Sequence, residues 1–248
     1  MSNVSETGHA KNVANFEKLV VNVSGLGAAY NPSRGSIQLS ALNDLLVNAK
    51  AVISNLNQAE SVNKNAISAR EEAFEPLSKL ITRVGNSLKA SASSSSTDDQ
   101  ATTLIRKLQG RRATPKMTDD EKKAAEAEGK TVKESSSSQM SFDNRLDNFD
   151  KLIKLLTTVP EYAPNETELS VDGLTTLYND LNSKNLEVVN ASVPLSNARI
   201  TRDQVLYSEL TGLVDISLDV KTYVKSVFGA SAPQYKAISK LEFKSVKP

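Results

Sequence analysis

Leu39-Ser40-Ala41-Leu42-Asn43-Asp44-Leu45-Leu46-Val47-Asn48-Ala49-Lys50-Ala51-Val52-Ile53 opens the longest apolar pattern in the chain. Leu39, Leu46, Ile53, Ile67, Phe74, Ile81 and Leu88 fall at multiples of seven, and Leu42, Ala49, Leu56, Leu77 and Val84 occupy the companion register. Such a seam belongs to long helices packed at shallow angles. Its phase survives a polar middle at Glu60, Asn63 and Arg70, which predicts one helix of ~50 residues, about 75 Å at 1.5 Å per residue. The rival is a hairpin breaking between Asn57 and Asn65. Upstream, Val13, Phe16, Leu19, Val20 and Val23 recur at three- and four-residue steps, a short amphipathic helix that should end near Gly25 and Gly27. Tyr30-Asn31-Pro32 is the turn between the two, and Ser36 or Ser40 starts the long pattern.

The same design returns in the second half. Asn15-Phe16-Glu17-Lys18-Leu19 recurs 133 positions on as Asn148-Phe149-Asp150-Lys151-Leu152, and Tyr30-Asn31-Pro32 recurs 132 on as Tyr162-Ala163-Pro164. Ile37, Leu39, Leu42 and Leu45 then match Leu169, Val171, Leu174 and Leu177, while Asn65, Ala66, Arg70 and Glu71 match Asn197, Ala198, Arg202 and Asp203. Ile105-Arg106-Lys107-Leu108 matches Ile238-Ser239-Lys240-Leu241. An ordered series of this kind points to internal duplication. The expected organisation is repeat one over 1–112, a charged and serine-rich linker over 113–140, and repeat two over 141–248. One repeat has too few faces to cover its own stripe, so the two should pack as a single pseudo-twofold domain. Pro194 and Pro76 should kink or break the long helices. The fold class expected is therefore all-α, an elongated bundle of two tandem repeats. Within the linker, Thr118-Asp119-Asp120-Glu121 has capping-box spacing before a stop at Gly129, which suits a short exposed helix. The serine run Ser91 to Ser96 and its counterpart Gly229 to Pro233 read as mobile turns.

Composition narrows the chemistry. A chain of 248 residues that is 39% hydrophobic can bury a core, but aromatics are 5% and Trp is absent, which disfavours large aromatic pockets. Thirty basic residues against 29 acidic leave a net charge of +1, so no global field concentrates nucleic acid or an anionic membrane. With no cysteine, disulfides, thiolate metal sites and cysteine nucleophiles are excluded. Met1 to Ala10 lack a basic start followed by an apolar run, and no stretch approaches the ~20 apolar residues of a spanning helix. A cytoplasmic location without a transmembrane segment is the expectation.

Few residues invite chemistry. His9 is the sole imidazole, and a metal site or histidine-centred triad needs partners that this chain does not supply. Glu71, Glu72 and Glu75 lie at helical spacing but lack the histidine three residues on that di-iron bundles require, so they read as a solvated face. Gly25-Leu26-Gly27 follows a helix and lacks the lysine of a phosphate loop, so it reads as a helix stop. Arg70-Glu71 and Arg202-Asp203 carry more, because an arginine kept near both seams is charge partly withdrawn from water and stable only if paired. Such pairs form either a polar layer fixing register or a clamp for a ligand carboxylate. Arg106, Lys107, Arg111 and Arg112 make the densest basic stretch, with Lys240 to Lys247 its weaker counterpart. Without interleaved aromatics beyond Phe243, these read as a solvated edge with at most a local phosphate contact.

Gly8-His9-Ala10-Lys11-Asn12-Val13-Ala14-Asn15-Phe16, Tyr30-Asn31-Pro32 and Gln109-Gly110-Arg111-Arg112 together resemble a set of uncharacterised, internally duplicated helical proteins of Bacteroidetes. The resemblance covers most of the chain and implies origin and architecture, without an activity or site residues. The function expected is a non-enzymatic structural or protein-interaction bundle without cofactors, whose partners are other proteins or its own copies. The alternatives are a membrane-active bundle of the pore-forming type, and a binder or enzyme built on carboxylates and arginines.

Overall fold

The computed structural model describes residues 6–111, 127 and 140–245. Among them every regular element is helical, and none is a strand. The elements are α1 (Glu6–Ser24), α2 (Leu39–Phe74), α3 (Leu77–Ala90), α4 (Ser95–Leu108), α5 (Phe142–Thr157), α6 (Val171–Tyr207), α7 (Leu213–Phe228) and α8 (Pro233–Ser239). The chain is all-α, as its periodicity requires.

Local chemistry sets the boundaries. α1 stops just before Gly25, and two 3-10 turns, Gly27–Ala29 and Gly35–Ile37, carry the chain to α2. There is no hairpin at Asn57 to Asn65, because α2 is helical throughout and ends at Phe74. Pro76 bends the helical path there. A proline ring disfavours helical geometry at the preceding residue, and the helical path resumes two residues later as α3. Pro194 behaves otherwise, since α6 is one helix from Val171 to Tyr207 with the proline inside it. It costs the bond its missing N–H would have made to Asn190, but not the helix. In the second half the interruption falls at residues 208–212 instead.

Both small-residue tracts turn the chain and then start the next helix. Ser94 is the N-cap of α4, its Oγ accepting from Thr97 N at 3.2 Å, and Ser141 caps α5 by accepting from Asn144 N at 3.2 Å. Ala232 precedes Pro233 at the first position of α8, where a missing N–H costs nothing. At the other end of α4, Gly110 N donates to Lys107 O at 3.0 Å and Arg111 N to Arg106 O at 2.8 Å, with Gly110 at φ +70°. This is a Schellman stop. The turn calls for glycine there because its backbone is left-handed, and a side chain at that position would only push aside the flexible Met140. The capping box at Thr118 to Glu121, and nearly all of the expected linker, lie outside the described residues.

The chain divides into two compact units, Met1–Lys64 with Ala191–Pro248, and Asn65–Asn190. These do not follow the repeat boundaries at 112 and 141. Each unit combines the opening part of one expected repeat with the closing part of the other, because α2 and α6 each continue from one unit into the next. The core of the first unit gathers Phe16, Leu19, Val23, Ile37 and Leu42 with Leu206, Leu213, Val220 and Val224. The second gathers Phe149, Leu152, Leu156, Leu169 and Leu174 with Phe74, Ile81, Val84 and Leu88. Along the first half of α2 the companion register is the deeper one. Leu42, Ala49 and Leu56 are buried, while Leu39, Leu46 and Ile53 only flank the core.

One bond recurs in both units. Tyr30 Oη donates to Ile37 O at 2.6 Å, and Tyr162 Oη donates to Leu169 O at 2.6 Å, each fixing the loop that feeds a long helix. Burial raises both phenols to about 12, since a phenolate there would lose its hydration.

Candidate functional site

Arg70 lies in α2, four residues before Phe74, and Phe142 opens α5, three residues before Arg145; both spacings put the pair on one helix face. In the second unit the two pairs cross. The Arg70 guanidinium stands 3.8 Å from the centroid of the Phe142 ring, and that of Arg145 stands 4.9 Å from the Phe74 ring. The two rings meet edge to face with centroids 4.9 Å apart. Arg70 Nη1 donates to Asn185 Oδ1 at 3.0 Å, and Asn185 Nδ2 donates to Asp143 Oδ1 at 2.7 Å. Arg145 Nη2 donates to the carbonyl of Phe74 at 2.9 Å. The Nε atoms of both arginines are buried with no hydrogen-bond partner. Among the described residues neither guanidinium has a carboxylate partner. Burial accordingly pulls Arg145 below the usual arginine range, because nothing negative repays its lost hydration.

Arg202 has a different setting. In the first unit its side chain is 8% exposed and pairs at 2.9 Å with Asp203, its chain neighbour, whose own side chain is 50% exposed. Arg70 turns to Asn185 and not to Glu71, which is exposed. The two arginines of the sequence pattern thus lie in different compact units, each with its own partners. Arg145, Phe142 and Asn185 were not singled out by sequence. The available signal was a break in the match, since the position equivalent to Arg145 is the neutral Asn12.

That matched position binds the chain itself. Asn12 Nδ2 donates to Lys244 O at 2.9 Å, Asn12 Oδ1 accepts from Lys244 N at 3.0 Å, and Asn15 Nδ2 donates to Glu242 O at 2.8 Å. Lys221 Nζ donates to Leu241 O and stands 5.2 Å from the Phe243 ring. The basic run from Lys240 is therefore held along α1 in its described part. His9 is buried, and its Nδ1 lies 2.5 Å from Tyr207 Oη, which also accepts from Asn12 Nδ2 at 3.3 Å. Imidazole and phenol close the polar layer around the docked segment.

Arg106 and Lys107 sit in the last turn of α4, where cations complement the helix dipole, and Arg111 follows the Schellman turn. Arg112 lies outside the described residues. No group of three or more His, Asp or Glu side chains suited to a metal ion occurs among the described residues, and no helix there is long and apolar enough to cross a membrane.

The solvent side of α6 is the remaining feature. Leu186, Val189, Val193 and Ile200 are each more than half exposed and recur at steps of three, four and seven, which is one helix face. At the matched positions of α2 stand Ser54, Asn57, Ser61 and Ser68. No protein-family model, curated protein or solved structure matches the chain.

Proposed function

We propose that this protein is a non-enzymatic, internally duplicated helical bundle that works by protein–protein contact, and that the contact is made between copies through α6. The observation carrying this reading is the apolar face of Leu186, Val189, Val193 and Ile200. Their four α2 counterparts are Ser or Asn, and α2 is nonetheless helical there, so helix formation does not call for apolar residues at these places. Exposed apolar residues gathered on one face mark interaction surfaces.

A second copy suits this face because the face is nearly self-complementary. Val193 lies seven residues from Leu186 and seven from Ile200, so an antiparallel copy sets Leu186 against Ile200 and Val193 against its twin. A two-fold interface needs that property. The flanking charges are already neutralised internally, Lys184 by Glu187 at 3.1 Å and Arg199 by Glu60 at 3.4 Å, leaving no strong field to repel a twin. Sedimentation equilibrium should show a monomer–dimer exchange with a midpoint in the micromolar range. Val193→Asp should shift that midpoint at least tenfold, while Ser61→Asp on α2 leaves it unchanged. A chain that stays monomeric at several hundred micromolar overturns the reading.

A further inference from the structure

We propose that the Arg70–Arg145 cluster of the second unit binds a carboxylate supplied from outside the chain. Two guanidinium groups are gathered there around the Phe74–Phe142 ring pair, each with its Nε buried and unpartnered and each keeping one terminal nitrogen that forms no hydrogen bond to the described residues. Asp143 is linked to Arg70 through the Asn185 amide, and no such link runs to Arg145. Withdrawing cations from water without pairing them is unfavourable, and a planar carboxylate is the natural complement of a guanidinium.

In the first unit the matched position is used to hold another segment of the chain by its polar groups. Asn12, at the position matching Arg145, holds the backbone of Lys244 through both its amide atoms. An amide side chain offers a donor and an acceptor and suits a neutral peptide group. An arginine offers donors alone and suits an anion. Phe142 and Phe74 replace His9 and Leu206 at matched positions, and the two phenyl rings face the guanidinium groups at 3.8 and 4.9 Å, a cation–π attraction that holds the groups in place without cancelling their net charge. Arg83, by contrast, is already paired with Glu168 at 2.7 Å, and it serves as a control in the same unit. Asp143 repels a ligand of high negative charge density, which favours a carboxylate over a phosphate dianion.

Calorimetric titration of the full chain at constant ionic strength tests this, with succinate, a blocked tetraglutamate peptide and inorganic phosphate as probes. Saturable binding of succinate or the peptide is expected, with phosphate weaker; the stronger of the two carboxylate probes identifies the source as a small acid or an acidic chain. Arg145→Asn, which installs the residue of the matched position, and Arg70→Gln should each weaken binding at least tenfold. Arg83→Gln should not. If Arg145→Asn does not fold, Arg145→Lys keeps the charge while losing the planar fork and should still weaken binding several-fold. Absence of saturable binding, equal binding by Arg145→Asn or Arg145→Lys and the parent chain, or phosphate binding more tightly than both carboxylates overturns the proposal.

Discussion

Tyr30 and Tyr162 are where a residue's chemistry shows most directly in the fold. Each phenol is buried and donates to a carbonyl seven residues on, and each is raised from the ordinary 10 to about 12. A group whose folded value is raised contributes stability below its unfolded value and loses that contribution as the pH climbs through the folded value. Unfolding free energy should therefore hold steady up to about pH 10 and fall between about 10 and 12, by about 2 kcal/mol for each tyrosine. Replacing Tyr162 by Phe should cost about 1 kcal/mol at neutral pH for the lost bond and remove that tyrosine's share of the alkaline loss. Urea titrations across the pH range, with phenolate absorbance followed in parallel, check both parts. A variant with an unchanged alkaline slope would show that Tyr162 does not titrate late. The two tyrosines were legible in sequence as turn residues, but their bonds were not, because the acceptor is a backbone carbonyl that every residue carries.

For a helix, the seven-residue period gives a pair of registers without ranking them. Leu42 is fully buried and Leu46 only flanks the core, although both belong to the apolar stripe of α2. Truncating Leu42 to Ala should cost on the order of 2 to 5 kcal/mol, and truncating Leu46 no more than about half as much, since fewer contacts are lost and solvent can fill the space. Chemical denaturation of the two variants measures the difference, and equal losses would refute the register. Proline placement shows the same division of information. Pro76 bends the helical path between α2 and α3 and Pro194 lies within one unbroken helix, α6, although each lies inside an apolar helical pattern. A local rule gives the cost of a proline, and packing along the rest of the helix decides whether that cost is borne.

On the scale of the molecule, the repeats expected from the sequence and the compact units divide one chain differently. Asn65–Asn190 is continuous in sequence and holds a complete core, whereas residues 1–112 and 141–248 each carry parts of both cores. A polypeptide of residues 65–190 should fold alone with a cooperative melt, and residues 1–112 alone should not; circular dichroism melts of the two decide it, and a cooperative transition in 1–112 would overturn the assignment. The sequence by itself determined that the chain is helical, that the first helix stops near Gly25, that a long helix follows, and which two registers carry its apolar stripe, since period and glycine stops act over a few residues. Only the tertiary structure decided that each core joins residues from both halves of the sequence, and that Arg70 meets Phe142 and Asn185 while Arg202 pairs with Asp203. Those outcomes depend on which apolar faces cover one another across more than a hundred residues, and a stripe specifies that it must be covered without naming its cover.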